Sequence, residues 1–218
     1  LDLPYMEPEQ TLQYIKYEFH RLYGIDSHLY DFSFYTLEIK PDSRHYIQTI
    51  LAFGAPKDLI KLYGVELRNI GLKPNAFILP IEAQFTILKN IDANINKGKD
   101  TICLVYIEKN DIDIFFYYEQ NIRSIASISV LKRDINELSN EIKRVFNYFH
   151  IKNYDKDISA IVLSGDCRNM AEYLELFAQF GYRTMWLNNE ILGFESNLDK
   201  EVPFLAPYII AIGASLYH

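Results

Sequence analysis

Apolar positions follow two different periods along the chain. Leu12, Ile15, Phe19 and Leu22 recur at three- and four-residue spacing, which predicts a helix opening at Glu9 or Thr11 and closed by Gly24. The positions between them, Gln13, Lys16, Glu18 and Arg21, read as its solvated face. Tyr30 to Ile39 is rich in aromatic and β-branched residues and predicts a strand. Pro41-Asp42-Ser43 supplies turn chemistry, and Tyr46 to Phe53 predicts a second strand. Pro56 sits where the first turn of a helix tolerates it. Leu59, Tyr63, Leu67 and Ile70 then mark one face, and Gly71 with Lys73-Pro74 stops the helix. A short strand over Ala76 to Leu79 and a helix from Pro80 to near Asn90 follow.

Beyond Thr101 the period changes to that of a β-meander, with strands predicted over Thr101 to Ile107, Asp111 to Tyr118 and Arg123 to Val130. Ile135, Leu138, Ile142, Val145 and Phe149 mark the buried stripe of a long helix over Asp134 to His150. A strand over Ile158 to Leu163, a turn at Ser164-Gly165-Asp166 and a helix from Asn169 to Phe180 come next. A strand over Arg183 to Leu187 and a closing helix over Pro207 to Leu216 complete the pattern. The Lys97-Gly98-Lys99-Asp100 segment predicts a boundary between residues 1–98 and 99–218.

Composition narrows the function. The 218 residues are ordinary globular material at 49% hydrophobic, with 17 Tyr and 14 Phe concentrated in strand-like runs. A formal charge of −7 argues against a nucleic-acid binder, which would carry a basic face. Cys103 and Cys167 are too few for a zinc quartet or a disulfide framework and read as buried thiols in a reducing compartment. The apolar stretch Phe204 to Tyr217 contains Pro207 and is too short to span a bilayer. No signal peptide is evident, and the start at Leu1 leaves room for residues upstream.

Candidate chemistry is sparse. The five histidines are scattered, and no HExxH, CxxC or phosphate-loop motif occurs, so neither catalytic residues nor a metal site is expected. Glu108, Asp111 and Asp113 could offer carboxylates to magnesium, but Asn110-Asp111 between two strands is hairpin chemistry first. Ser164-Gly165-Asp166 could bring backbone N–H groups to a phosphate or nucleoside, or could be a tight strand-to-helix connection needing one glycine.

The order of segments resembles the actin-like superfamily. Strand Ile158 to Leu163, Ser164-Gly165-Asp166, the helix to Gly181 and Ala211-Ile212-Gly213-Ala214-Ser215-Leu216 resemble its C-terminal half. Leu3-Pro4, the helix with Tyr17-Glu18, the strand pair, Asn69-Ile70-Gly71-Leu72 and Ile78-Leu79-Pro80-Ile81-Glu82-Ala83 resemble the type IV pilus assembly family PilM. The resemblance implies an α/β, ribonuclease H-like fold, incomplete at its N-terminus, with a small inserted α/β lobe within residues 1–98. The superfamily's phosphate loops are glycine-rich because a triphosphate needs closely approaching backbone donors. Here Val105 to Asp111 carries Glu108 and no glycine, the second glycine of the adenosine turn is Asp166, and no hairpin of the first phosphate loop is present. The passage from Val130 straight to the long helix also leaves no room for the extra subdomain of larger actin-like ATPases.

These departures are similar to the degenerate cytoplasmic domains of BfpC and GspL. They imply a non-enzymatic scaffold at the inner face of a bacterial membrane, in a type IV pilus or type II secretion platform. The implied partners are the cytoplasmic peptide of a PilN-like membrane protein and a secretion ATPase. The peptide groove is expected among Tyr30 to Ile39, Tyr46 to Phe53 and the Pro56 to Ile70 helix, with Phe32, Phe34, Tyr35 and Tyr63 as its contacts. No cofactor is expected beyond weak adenosine or ATP binding near Ser164, Gly165 and Lys143. The rival expectations are an actin-like ATPase with its first phosphate loop outside residues 1–218, and an FtsA-like polymer-forming protein.

Overall fold

The computed structural model describes residues 1–42, 45–96, 100–119, 121–131, 134–152, 157–166, 168–193 and 209–215. Contacts divide the chain between Phe77 and Ile78 into two compact units. The expected boundary at Lys97 to Asp100 falls mostly outside the described residues. The helix that precedes it belongs to the second unit, because it packs there on the last helix.

In the first unit, strand β1 (Asp2–Pro4), helix α1 (Pro8–Tyr23), strands β2 (Tyr30–Pro41) and β3 (Tyr46–Pro56), and helix α2 (Lys57–Asn69) follow in order. The sheet is antiparallel with order β1-β3-β2, so among the described residues β2 has one free edge. Pro8 occupies the first turn of α1, where its missing N–H costs nothing, so the helix starts earlier than the apolar period indicates. Ile15 is fully buried and packs with Leu3 and Ile50, while Leu12, Phe19, Phe32 and Phe34 lean on that centre. A polar tie runs through it. The Gln48 side-chain amide donates to Thr11 Oγ1 at 3.1 Å and to the Pro4 carbonyl at 3.4 Å, which joins β3, α1 and β1. Glu18, expected on the solvated face, is buried instead. Its carboxylate accepts two bonds of 3.2 Å and one of 2.6 Å from Arg21, and that pairing makes the burial tolerable.

The second unit opens with helix α3 (Pro80–Ile91), which runs on as one π-helical turn over Asp92–Asn96. Residues 76–79 form no strand. The Leu79 N–H is taken at 2.6 Å by the Glu82 carboxylate, which caps α3 from its first turn. Strands β4 (Thr101–Ile107), β5 (Asp111–Tyr118) and β6 (Asn121–Ser129) form the meander. Helix α4 (Ile135–Lys152), strand β7 (Ile158–Gly165), helix α5 (Met170–Ala178), strand β8 (Thr184–Trp186), helix α6 (Asn189–Leu192) and helix α7 (Ile209–Ser215) complete the unit. The sheet order is β6-β5-β4-β7-β8, antiparallel among the meander strands and parallel across β4, β7 and β8.

Both faces of this sheet are covered. Alternation along β5 sends Phe116 to one side, where it stacks on Phe149 at 4.1 Å and meets Phe146 of α4 edge-on at 5.3 Å. Phe146 also stacks at 4.9 Å on Phe180, just past α5. Phe115 points the other way, onto Phe85 of α3 at 6.2 Å. Cys103 lies at the centre of β4, a free thiol that burial pushes well above its ordinary pKa, while Cys167 lies outside the described residues. On the far side of the sheet, α7 crosses α3 so closely that a Cβ on Gly213 would sit 2.1 Å from the Ala83 carbonyl oxygen. Only glycine fits there.

Gly213→Val therefore forces α7 off α3 and should cost about 1–3 kcal/mol, as overpacking does. Ala214→Val, at an exposed neighbouring position, should stay within about 0.7 kcal/mol. Urea midpoints of the two variants against the wild type measure the difference.

Candidate functional site

The second unit has a cleft of about 660 Å³ lined by Tyr106, Ile107, Glu108, Lys109, Gly165, Asp166 and Arg168. It lies where parallel neighbours β4 and β7 end and their chains diverge, one into the β4–β5 turn and the other toward α5. Such a divergence makes a crevice in any open α/β sheet. Its floor is backbone. Ile107 pairs with Gly165, the Asp166 N–H donates to the Ile107 carbonyl at 2.7 Å, and Gly165 has φ +96°. A Cβ at Gly165 would lie 2.1 Å from the Ile107 oxygen, so this glycine serves the close approach of two strands.

The rim is charged and largely self-paired. Arg168 Nε donates to both Asp166 oxygens at 2.9 and 2.7 Å, its Nη2 also bonds Oδ2, and its backbone N–H donates to Oδ1 at 3.1 Å. Hydrogen bonds from Arg168 hold the Asp166 carboxyl below the usual carboxylate range, and Asp166 in turn raises Arg168. Burial, reinforced by the Glu108 charge and a hydrogen bond to it, pushes the Tyr106 phenol up to about 12. Burial also raises the Asp113 carboxyl, partly opposed by a hydrogen bond from Ser127. The Glu108 N–H closes the turn onto the Asp111 carbonyl at 2.8 Å. Glu108, Asp111 and Asp113 thus belong to a hairpin, and among the described residues no group of three or more His, Cys, Asp or Glu could hold a metal.

Of the residues expected near an adenosine, Gly165 alone lines the cleft. Ser164 is fully buried, its hydroxyl donating to the Val105 carbonyl at 3.1 Å, and Lys143 is an exposed residue of α4 that does not line the cleft. Arg168 escaped notice in the sequence. Its signal was its position two residues after Asp166, the spacing that lets one side chain fold back on the other. An anion entering the cleft meets Glu108, Lys109 and an Asp166 that already holds the Arg168 guanidinium.

The aromatic residues expected to form a peptide groove in the first unit do not converge. Phe32 and Phe34 point to the α1 face and pack on the Leu3, Ile15 and Ile50 centre. Phe32 meets Phe19 edge-on at 5.1 Å. A charge at Phe34 would therefore sit against that apolar centre. Tyr35 points to the opposite face, against Phe53 at 5.9 Å, and Tyr63 stands 55% exposed on α2. Leu59 and Leu62 are exposed beside it on the same helix, a feature that apolar spacing could not separate from a buried stripe.

No family model matches the sequence, and no curated protein matches it. Solved structures match the fold, among them these two. A chain of a PilM–PilN type IV pilus biogenesis complex superposes with a TM-score of 0.71 at 16% identity, over 99% of this chain and 74% of that one. A protein of Bacteroides thetaiotaomicron with an actin-like ATPase fold and unknown function gives a TM-score of 0.53 at 12% identity, over 88% of this chain and 67% of that one. The chain has an actin-like fold. The cleft at the ends of β4 and β7 is thus a cleft of an actin-like fold, and its rim carries side-chain charge. Among the described residues no helix is long and apolar enough to cross a membrane.

Arg168→Ala should let the Asp166 carboxyl rise to its ordinary pKa, read by NMR titration of its side-chain carboxyl carbon. Because the folded value is depressed, the pair stabilises above the unfolded pKa and loses its contribution as pH falls through the folded one. Wild type and variant should therefore converge in stability in acid and differ at neutral pH. Parallel stability curves at all pH values would contradict this.

Proposed function

We propose that this protein is a PilM-like scaffold that holds the cytoplasmic peptide of a PilN-like membrane protein in a type IV pilus or related secretion platform. The observation that carries the reading is the likeness of nearly the whole chain to a chain of a PilM–PilN complex. The distribution of exposed apolar side chains supports it. Of the 21 large hydrophobic residues exposed among those described, 17 belong to the 77-residue first unit. A contiguous exposed apolar patch marks an interaction site, and α2 offers one in Leu59, Leu62 and Tyr63.

The peptide reads α2. Leu59, Leu62 and Tyr63 form an exposed apolar strip on that helix, while Gly64 and Leu67 turn toward their own unit. On this reading the protein works at the cytoplasmic face of the inner membrane, held there by its partner, and does not hydrolyse ATP. Glu108 and the Asp166–Arg168 pair occupy much of the rim where a triphosphate would need free donors, which leaves Lys109 as the remaining cation of the lining. The BfpC- and GspL-like branch and a secretion ATPase as second partner are further parts of this proposal.

A fluorescent peptide copied from the cytoplasmic segment of the PilN-like protein should bind with saturable anisotropy. Tyr63→Asp should weaken it at least tenfold with the circular dichroism spectrum unchanged. Equal binding by wild type and folded variant would sink the docking site. Magnesium-ATP should give no calorimetric heat, and micromolar binding or turnover would overturn the scaffold reading.

A further inference from the structure

The free edge of β2 is self-complementary. β2 is 12 residues long and among the described residues pairs with β3 alone, so that no described strand lies along its outer side. Its register on β3 tells which side chains share a face. Phe32 and Ile39 lie opposite Gly54 and Gln48, which face α1, whereas Asp31 and Lys40 lie opposite Ala55 and Ile47 on the other face. Residues 31 and 40 differ by an odd number and would sit on opposite faces of a regular strand. The one-residue slip at Leu37, between Thr36 and Glu38, brings them to the same one.

We propose that a second copy of this chain pairs antiparallel with β2 across a two-fold axis at Tyr35, giving one six-stranded sheet from two first units. This goes beyond the peptide-holding reading and does not depend on it. With the slip at Leu37 counted, Tyr35 faces Tyr35 of the second copy, Phe34 faces Thr36, Ser33 faces Glu38, Phe32 faces Ile39 and Asp31 faces Lys40. On the α1 face Phe32 meets Ile39, and Phe34 meets Thr36. On the other face the existing pairs Lys57–Asp31 at 3.8 Å and Lys40–Glu38 at 2.7 Å join end to end across the axis, so that charge alternates along four side chains.

Charge also selects this register. Moving the second copy by one side-chain repeat in one direction sets Asp31 against Glu38, and in the other against Asp42, just past the end of β2. Like charges directly opposite on a sheet are destabilising. Of three neighbouring registers, one pairs opposite charges and two pair acids. Occupation of the edge by an extended peptide instead would show no such preference.

Sedimentation equilibrium on the purified chain should give a dimer at high micromolar concentration. Lys40→Glu replaces two attractions with two repulsions and should raise the dimer dissociation constant about tenfold or more. Directly opposed residues of an antiparallel pair have Cα atoms about 4.5–5.5 Å apart, within disulfide range. Tyr35→Cys should therefore cross-link two chains under mild oxidation, whereas Tyr46→Cys, exposed on β3, and the wild type should not. A wild type that stays monomeric, a dimer unaffected by Lys40→Glu, or no cross-link at position 35 would each overturn the proposal. Peptide capture is read separately by anisotropy, so either idea can fail alone.

Discussion

The parallel pairing of β4 with β7 is the contact on which the second unit depends. Two strands that run the same way cannot be joined by a tight turn, so the chain between them must travel out and back. Here it does so through β5, β6 and α4, and that detour extends the sheet on one side while covering one of its faces. The pairing is carried to its limit at Ile107 and Gly165, where two backbones come closer than any side chain allows. This closeness shapes the cleft as well. Its floor donors and acceptors are spent on joining the strands, so only side chains remain to face whatever enters.

Much of the architecture was readable because burial and period agree. The meander, α4 and β7 are long apolar patterns that a sheet covered on both faces demands. Leu138, Ile142 and Phe149 are buried where the spacing puts them, whereas Ile135 is exposed and Phe146 is buried in place of half-buried Val145. The misreadings share one cause, which is that a side chain's partner is set by tertiary contact. Ala76 to Leu79 has strand-like composition, yet the Leu79 N–H goes to Glu82. Glu18 has the sequence position of a solvated residue, yet Arg21 pairs with it and allows burial. In the candidate sites, Gly165 was legible as a tight turn, while Phe32, Phe34 and Tyr63 were not separable. Helical and strand periods mark an apolar stripe without saying whether the same chain covers it.

The two units spend their apolar residues differently. In the first, Leu3, Ile15 and Ile50 are the only fully buried hydrophobic side chains among the described residues, and each contributes about 1.5–3 kcal/mol. That is a thin centre for 77 residues, and the Gln48–Thr11 bond and the Glu18–Arg21 pair supply the positional definition that a larger core would otherwise give. Aromatic residues that could have enlarged the core stand at the surface instead. A unit arranged this way gives up intrinsic stability for surface that another chain can cover, and covering it stabilises the folded form by mass action.

The seat of α7 on α3 also sets an order of events during synthesis. The first unit spans Leu1–Phe77 and so leaves the ribosome ahead of the second. The second cannot close, because the helix whose backbone meets Gly213 is made long before residues 209–215 exist. At ordinary elongation rates of about 5–20 residues per second, the face of α3 around Ala83 waits on the order of ten seconds for its cover. During that interval the nascent chain carries an unfinished second unit with a bare apolar helix. Chaperone occupancy, if mapped along the message, would rise after α3 is exposed and fall when α7 emerges.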